Sequence, residues 1–176
     1  MRIEREHTIA VVVDYQEKLV PAMSEKDKLI HNSCILLEGL KILDVPMVIT
    51  QQYTKGLGMT VEEITKAAGT TENIDKISFT AYDCVKEQIS AKKYVIVCGI
   101  EAHICVLQTV IDLKAAGFVP VLVADCVSSR KEGDKQVAIE RARQEGAIVT
   151  TYESVLFELL KVAGTETSKK IQKLIR

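Results

Sequence analysis

Short runs of β-branched residues alternate with longer segments of helical period along the whole chain. The β-branched runs predict strands at residues 8–13, 45–50, 74–78, 94–97, 119–123 and 147–150. Helices are predicted between them, at residues 26–43, 60–67, 82–91, 103–116 and 135–145, with two more at 154–162 and 167–174. This alternation is typical of βαβ units, so it predicts an α/β fold with a parallel sheet.

The composition is that of a globular protein. A chain of 176 residues with 47% hydrophobic and 27% charged residues fits one core, so we expect a single domain over residues 1–176. The formal net charge of -1 gives no field that would attract nucleic acid, and the apolar runs are too short to span a membrane. The five cysteines are scattered and form no C-x-x-C pair, which favours reduced thiols. Because no signal-peptide pattern is visible either, we expect a cytoplasmic location.

Three reactive side chains fall where an α/β sheet would bind a ligand, beyond the carboxyl ends of its strands. Asp14 is the first charged residue after the first strand, where a carboxylate can serve as general acid and base. Cys105 is predicted in the first turn of the helix after the fourth strand, where the helix dipole is expected to lower the pKa of its thiol. Lys76 lies beside the third strand, and its ammonium would hold both anions in place.

Each of these residues, taken singly, also has an ordinary structural explanation. A cysteine in a half-apolar segment is commonly a small buried hydrophobe, and a lysine is commonly a solvated surface residue. An aspartate after a strand can simply cap a helix or a loop. The argument for chemistry therefore depends on all three side chains meeting in one place.

Three segments of the sequence carry a resemblance to a known family. Residues 11–16 (VVVDYQ), 76–82 (KISFTAY) and 98–106 (CGIEAHICV) resemble the motifs of the isochorismatase-like cysteine hydrolases, in the same order. The likeness runs from about residue 8 to residue 160. Within the family the chain is most similar to the small isochorismatase-domain-containing proteins, through residues 51–58, 99–103 and 170–175.

The resemblance implies a fold, a site and a reaction. The fold is a three-layer α/β/α domain with a parallel six-stranded sheet in the Rossmann-like order 3-2-1-4-5-6. The implied catalytic group is Asp14, Lys76 and Cys105, acting on a small amide, ester or related carbonyl compound through a thioester on the cysteine. A cis peptide bond between Ile100 and Glu101 is implied as well, with the Glu101 and Cys105 backbone N–H groups facing the oxyanion. The resemblance also implies a homo-oligomer.

Several further residues are candidates for lining a substrate pocket. Aromatic side chains that would surround a small planar substrate, or equally serve as core or subunit contacts, are Tyr53, Phe79 and Tyr82. Gln16 and His103 lie next to the implied catalytic residues, although a capping or packing role suits His103 at least as well. Family members that bind a metal do so through an aspartate and histidines after the second strand, where this chain has Gln51, Gln52 and Tyr53. We therefore expect no metal and no cofactor.

Two other classes of protein fit parts of the sequence. A catalytically idle family member that serves as an interaction or assembly module would keep the same fold. A receiver domain of the response-regulator type also has an aspartate after a strand and a lysine further on, but it has an acidic cluster that residues 13–15 lack. The hydrolase is the preferred interpretation because a scaffold has no need for three reactive side chains at one sheet edge.

Overall fold

A computed structural model describes residues 1–176 and contains one parallel sheet of six strands. The strand order is β3-β2-β1-β4-β5-β6, which confirms the predicted fold class. The strands are β1 (Thr8–Val13), β2 (Met47–Gln52), β3 (Ile74–Lys76), β4 (Tyr94–Ile100), β5 (Val119–Ser128) and β6 (Ile148–Thr150). The helices are α1 (Lys26–Ile42), α2 (Thr54–Leu57), α3 (Glu62–Ala68), α4 (Tyr82–Ile89), α5 (Leu107–Ala115), α6 (Glu132–Gln144), α7 (Tyr152–Leu160) and α8 (Glu166–Ile175).

The sheet separates two apolar cores, because successive side chains of a strand point to opposite faces. In β1, Ala10 and Val12 belong to the core that α1, α3, α7 and α8 cover. Val11 and Val13 belong to the core beneath α4, α5 and α6. All six residues of β1 are buried, as expected of a central strand in a parallel sheet.

The two central strands approach each other closely at their carboxyl ends. Val13 of β1 pairs with Gly99 of β4, which has a φ of 138°. A Cβ atom at this position would lie 2.1 Å from the Val13 carbonyl oxygen, so only glycine allows the approach. The chain leaves β1 toward α1 on one face of the sheet and leaves β4 toward α5 on the other, so these carboxyl ends form the switch point at which such folds bind ligands.

Several predicted elements differ from the structure at this edge of the sheet, and two of them concern the surroundings of residue 105. Residues 102–106 form a single π-helical turn before α5, where the sequence predicted a regular helix from residue 103. Strand β5 continues to Ser128, past its predicted end at residue 123, and its register with β4 shifts between Val97 and Gly99. Both differences bring polar residues of the β5 end beside the π-helical turn. No helix of the structure is long and apolar enough to cross a membrane.

Candidate active site

Asp14 lies at the carboxyl end of β1, completely buried from solvent. Its φ of 55° is unusual for a residue other than glycine, although aspartate tolerates this region better than most. The Thr50 hydroxyl donates a hydrogen bond of 2.8 Å to Asp14 Oδ1. The other oxygen, Oδ2, lies 2.7 Å from Lys76 Nζ. The carboxylate is therefore fixed on both sides by residues of β2 and β3.

Lys76 is buried at the end of β3 and has four acceptors around its ammonium. Besides Asp14, they are Gln52 Oε1 at 2.8 Å, the Phe79 carbonyl at 2.8 Å and the Ser78 carbonyl at 3.2 Å. An ammonium has only three N–H groups, so the protein itself occupies all of them. Lys76 thus acts on its surroundings as a fixed positive charge and has no donor left for a ligand.

Cys105 lies in the π-helical turn and retains 5% of its accessible surface. The pKa of its thiol is raised to about 12, first by burial and then by the Asp14 carboxylate, while the Lys76 ammonium acts in the opposite direction. The expectation of a lowered thiol pKa was therefore wrong for this structure. Desolvation of the thiolate outweighs the favourable charge and dipole at this depth, so the resting thiol is protonated.

The peptide bond between Ile100 and Glu101 is cis. The Glu101 backbone faces the Cys105 sulfur closely enough to lower the pKa of its thiol, although by less than burial raises it. The Glu101 side chain is turned away from this contact, because its Oε2 accepts the Arg130 backbone N–H at 3.2 Å and the Arg130 Nε–H at 3.1 Å. The loop after β5 is thereby tied to the turn that carries Cys105.

The aromatic candidates follow the carboxyl ends of β2 and β3 and differ in exposure. Tyr53 is 53% exposed and Phe79 is 54% exposed. Tyr82 is half-buried, and its ring packs against Phe118 with 6.4 Å between the ring centroids. His103 is half-buried, with its Nδ1 2.9 Å from the Ser129 hydroxyl. Tyr53 and Phe79 are thus available to a ligand, whereas Tyr82 and His103 already have partners within the chain.

Gln16, which the sequence predicted to line a substrate pocket, forms hydrogen bonds to the main chain of β2 and the loop after it. It is completely buried, and its Nε2 donates to the Gln52 and Gly58 carbonyls at 2.9 and 2.8 Å. Its Oε1 accepts the Gln52 backbone N–H at 2.7 Å. Both N–H bonds of the amide are used, so Gln16 fastens the loop after β2 and presents no free donor to a ligand.

Three residues that surround the catalytic candidates were given no positioning role from the sequence. Thr50 and Gln52 hold the Asp14–Lys76 pair from β2. Thr109, on α5, bonds to the main chain of Cys105. The spacing of Thr50 and Gln52 was a usable signal. Alternate residues of a strand reach the same face, and β2 lies next to β1, so both side chains can approach Asp14. That signal needs the strand register, which a single sequence does not supply.

The arrangement has the parts that nucleophilic catalysis requires. A thiol lies in the field of a carboxylate that can take its proton, and a fixed ammonium stabilises that carboxylate. The chain holds no group of three or more His, Cys, Asp or Glu side chains that could bind a metal ion.

Comparison with known proteins places the chain in a family. Residues 8–154 match the isochorismatase domain. Isochorismatase domain-containing protein 2 of Danio rerio is 34% identical over 181 residues, which cover 99% of this chain and 89% of that protein. The secreted isochorismatase effector Isc1 of Phytophthora sojae is 36% identical over 177 residues, which cover 96% of this chain and 84% of that protein.

A solved structure supports the same assignment. The structure described as MAR1 ribonuclease from Caenorhabditis elegans has a TM-score of 0.93 and 35% sequence identity. The match covers 99% of this chain and 92% of that one. Fold and site together define an α/β/α protein of the hydrolase type. The chain belongs to the isochorismatase family.

Proposed function

We propose that this protein is a cysteine hydrolase that cleaves a small amide, ester or related carbonyl compound. One observation carries the proposal: the Cys105 thiol is buried in the field of the Asp14–Lys76 ion pair, whose atoms lie 2.7 Å apart at the carboxyl edge of the sheet. A buried ion pair is weak evidence for stability alone, since an apolar pair would often serve a core as well. Its position beside a thiol supports a catalytic role.

The first half of the reaction forms a thioester. As the Cys105 sulfur bonds to the substrate carbonyl carbon, its proton passes to the Asp14 carboxylate. Asp14 then delivers this proton to the leaving amine or alcohol when the carbon–nitrogen or carbon–oxygen bond breaks. In the second half, Asp14 takes a proton from water, the water oxygen attacks the thioester, and the proton returns to the sulfur as the acid leaves.

Lys76 holds the Asp14 carboxylate in place during this cycle. Its ammonium lies 2.7 Å from Asp14 Oδ2, and its four acceptors prevent it from moving toward the substrate. The oxyanion of each tetrahedral intermediate is assigned to the backbone N–H groups of Glu101 and Cys105. Loss of one such donor typically costs about 3 to 4 kcal/mol of transition-state stabilisation.

A second candidate activity follows from a relative. The structure described as a ribonuclease is 35% identical to this chain over nearly its full length. RNA cleavage normally needs basic groups around the phosphate, and the formal net charge of this chain is -1. The carbonyl hydrolase is therefore preferred, and a short RNA belongs among the compounds to be tested.

One screen distinguishes these activities from an idle module. Small amides, ureas, esters and a short RNA are incubated with the wild type, with Cys105→Ala and with Cys34→Ala as the control. Cys34 is half-buried, its sulfur bonds only to the Glu63 carbonyl, and it lies on the opposite face of the sheet from Cys105. We expect hydrolysis that Cys105→Ala abolishes and Cys34→Ala retains. Activity retained in Cys105→Ala, or cleavage of RNA alone, would refute the proposed chemistry.

The molecular surroundings of this activity are proposals as well. Small molecules are the proposed substrates, without nucleic-acid or membrane partners, in the cytoplasm and without a cofactor. A homo-oligomer is proposed because large apolar side chains, among them Ile77 and Phe79 in the segment after β3, are exposed. Light scattering of the purified protein gives the number of copies directly.

A further inference from the structure

Thr109 is completely buried on α5, one turn after Cys105. Its Oγ1 donates a hydrogen bond of 2.7 Å to the Cys105 carbonyl oxygen. Thr109 Oγ1 also accepts a hydrogen bond of 2.8 Å from the Ala81 backbone N–H. The hydroxyl therefore connects two main-chain segments that are 28 residues apart in the sequence.

Only the second of these bonds is unusual. Threonine in a helix commonly donates to the carbonyl four residues earlier, which explains the bond to Cys105 without any function. Thr65 on α3 shows a similar local bond, 3.0 Å to the Glu62 carbonyl, and it is the only hydrogen bond of that hydroxyl. Thr109 differs because it also holds a residue outside its own helix.

Ala81 ends the segment that supports the Lys76 ammonium. Residues 77–81 connect β3 to α4, and the Ser78 and Phe79 carbonyls accept hydrogen bonds from Lys76 Nζ. Ile77 and Phe79 are 76% and 54% exposed, and Ala81 alone anchors the segment in the apolar core. Its position depends on hydrogen bonds at its ends, and the bond to Thr109 is one of them.

We propose that Thr109 is a positioning residue that sets the distance between the Cys105 thiol and the Lys76 ammonium. Through one hydroxyl it joins the main chain of the nucleophile to the segment whose carbonyls hold the lysine. Without the hydroxyl, the segment 77–81 shifts and the ammonium moves with it. This inference rests on the proposed function only in taking Cys105 as the nucleophile.

Three variants test the proposal. Thr109→Val keeps the shape of the side chain and removes the hydroxyl, whereas Thr109→Ser keeps the hydroxyl. Thr65→Val is the matched control, because it removes a helical threonine hydroxyl that has no second partner. If Thr109→Val does not fold, Thr109→Ala leaves room for a water to replace the hydroxyl and is measured instead.

The first readout needs no substrate. The rate at which iodoacetamide alkylates Cys105 is followed by mass spectrometry of the Cys105 peptide at several pH values. We expect Thr109→Val to react about tenfold more slowly than wild type at pH 8, which corresponds to a shift of about one pH unit in the rate profile. The physical reason is that iodoacetamide reacts with the thiolate, which the nearby ammonium favours. Thr109→Ser should remain within twofold of wild type, and Thr65→Val should be unchanged.

The second readout uses any substrate that the screen identifies. We expect Thr109→Val to lower kcat about tenfold with KM within threefold, because the catalytic geometry changes and the rim of the pocket does not. Restoration of kcat by Thr109→Ser shows that the hydroxyl, and not the methyl group, is responsible.

Four results would overturn the proposal. They are an unchanged alkylation profile in a folded Thr109→Val protein, faster alkylation, a kcat within threefold of wild type, and a Thr109→Ser variant as defective as Thr109→Val. Faster alkylation would mean that Thr109 keeps reagent away from the thiol and does not position it. The proposed hydrolase fails by a different result, activity retained in Cys105→Ala, while the alkylation experiment still tests Thr109.

Discussion

Removal of the Lys76 ammonium is expected to destabilise the fold strongly. In Lys76→Met the Asp14 carboxylate stays completely buried but loses its only cationic partner, which lies 2.7 Å away in the wild type. Breaking a buried ion pair by removing one partner typically costs about 3 to 5 kcal/mol, because an unpaired charge remains in the protein. The Gln52 amide and two backbone carbonyls lose their donor as well.

A double-mutant cycle separates the pair from its surroundings. Asp14→Asn keeps the size of the side chain and tolerates the positive φ of this position. It leaves Lys76 with its three neutral acceptors, so we expect a smaller loss of about 1 to 3 kcal/mol. The double variant carries no buried charge at either position, so it should lose about 1 to 3 kcal/mol less than the sum of the two single losses.

Urea denaturation followed by far-ultraviolet circular dichroism measures these unfolding free energies. Lys66→Met is the control, because Lys66 Nζ lies the same 2.7 Å from Glu62 Oε1, with both side chains more than 70% exposed. A solvated pair contributes at most about 1 kcal/mol. The reasoning fails if Lys76→Met lowers the free energy of unfolding no more than Lys66→Met does. It also fails if the double variant loses as much as Lys76→Met and Asp14→Asn together.

Three other predictions follow from the site and its support. The rate at which iodoacetamide alkylates Cys105 should rise about tenfold per pH unit from pH 7 to 10, because the pKa of this thiol is raised to about 12. The rate is measured by mass spectrometry, and a rate that levels off near pH 7 would contradict this prediction. Burial also raises the pKa of Cys98 to about 12. The stability contributed by the two neutral thiols is fully present below about pH 9 and should be lost as the pH rises toward 12, by up to about 1.4 kcal/mol per pH unit and thiol. Urea titrations from pH 8 to 10.5 test this, and Cys98→Ala should reduce the slope. Gly99→Ala should lower the free energy of unfolding by more than about 4 kcal/mol or prevent folding. Gly133→Ala, where a Cβ meets no atom within 4 Å, should leave that free energy unchanged or raise it. Soluble expression and thermal melting of the two variants test this prediction.

The sheet was predictable because its signal is local. Strand β1 has the predicted bounds, since residues 8–13 are uniformly apolar or β-branched and central strands of parallel sheets require this. Strand β5 was predicted too short because Asp125 interrupts the apolar run, and the strand continues only through an irregular pairing with β4. The order of the strands came from family resemblance, because a single sequence does not contain the pairing of distant strands.

The site was predictable only as a list of side chains. Asp14, Lys76 and Cys105 are visible as reactive residues after strands, but two of the four acceptors around Lys76 are backbone carbonyls. Any residue type supplies a carbonyl, so these contacts leave no trace in the sequence. The pKa of Cys105 was predicted in the wrong direction because the position at a helix start is readable from a sequence, whereas the depth of burial is not.

The protonated resting state of Cys105 has a consequence for how the protein withstands oxidants. Peroxide and other electrophiles attack thiolates, so a sulfur that keeps its proton is a poor target. The Cys105 thiolate then exists only while a carbonyl compound is bound beside it and the proton has moved to Asp14. Between turnovers the protonated thiol is unreactive toward oxidants. The rate at which oxidants inactivate the protein should therefore increase with the rate of turnover.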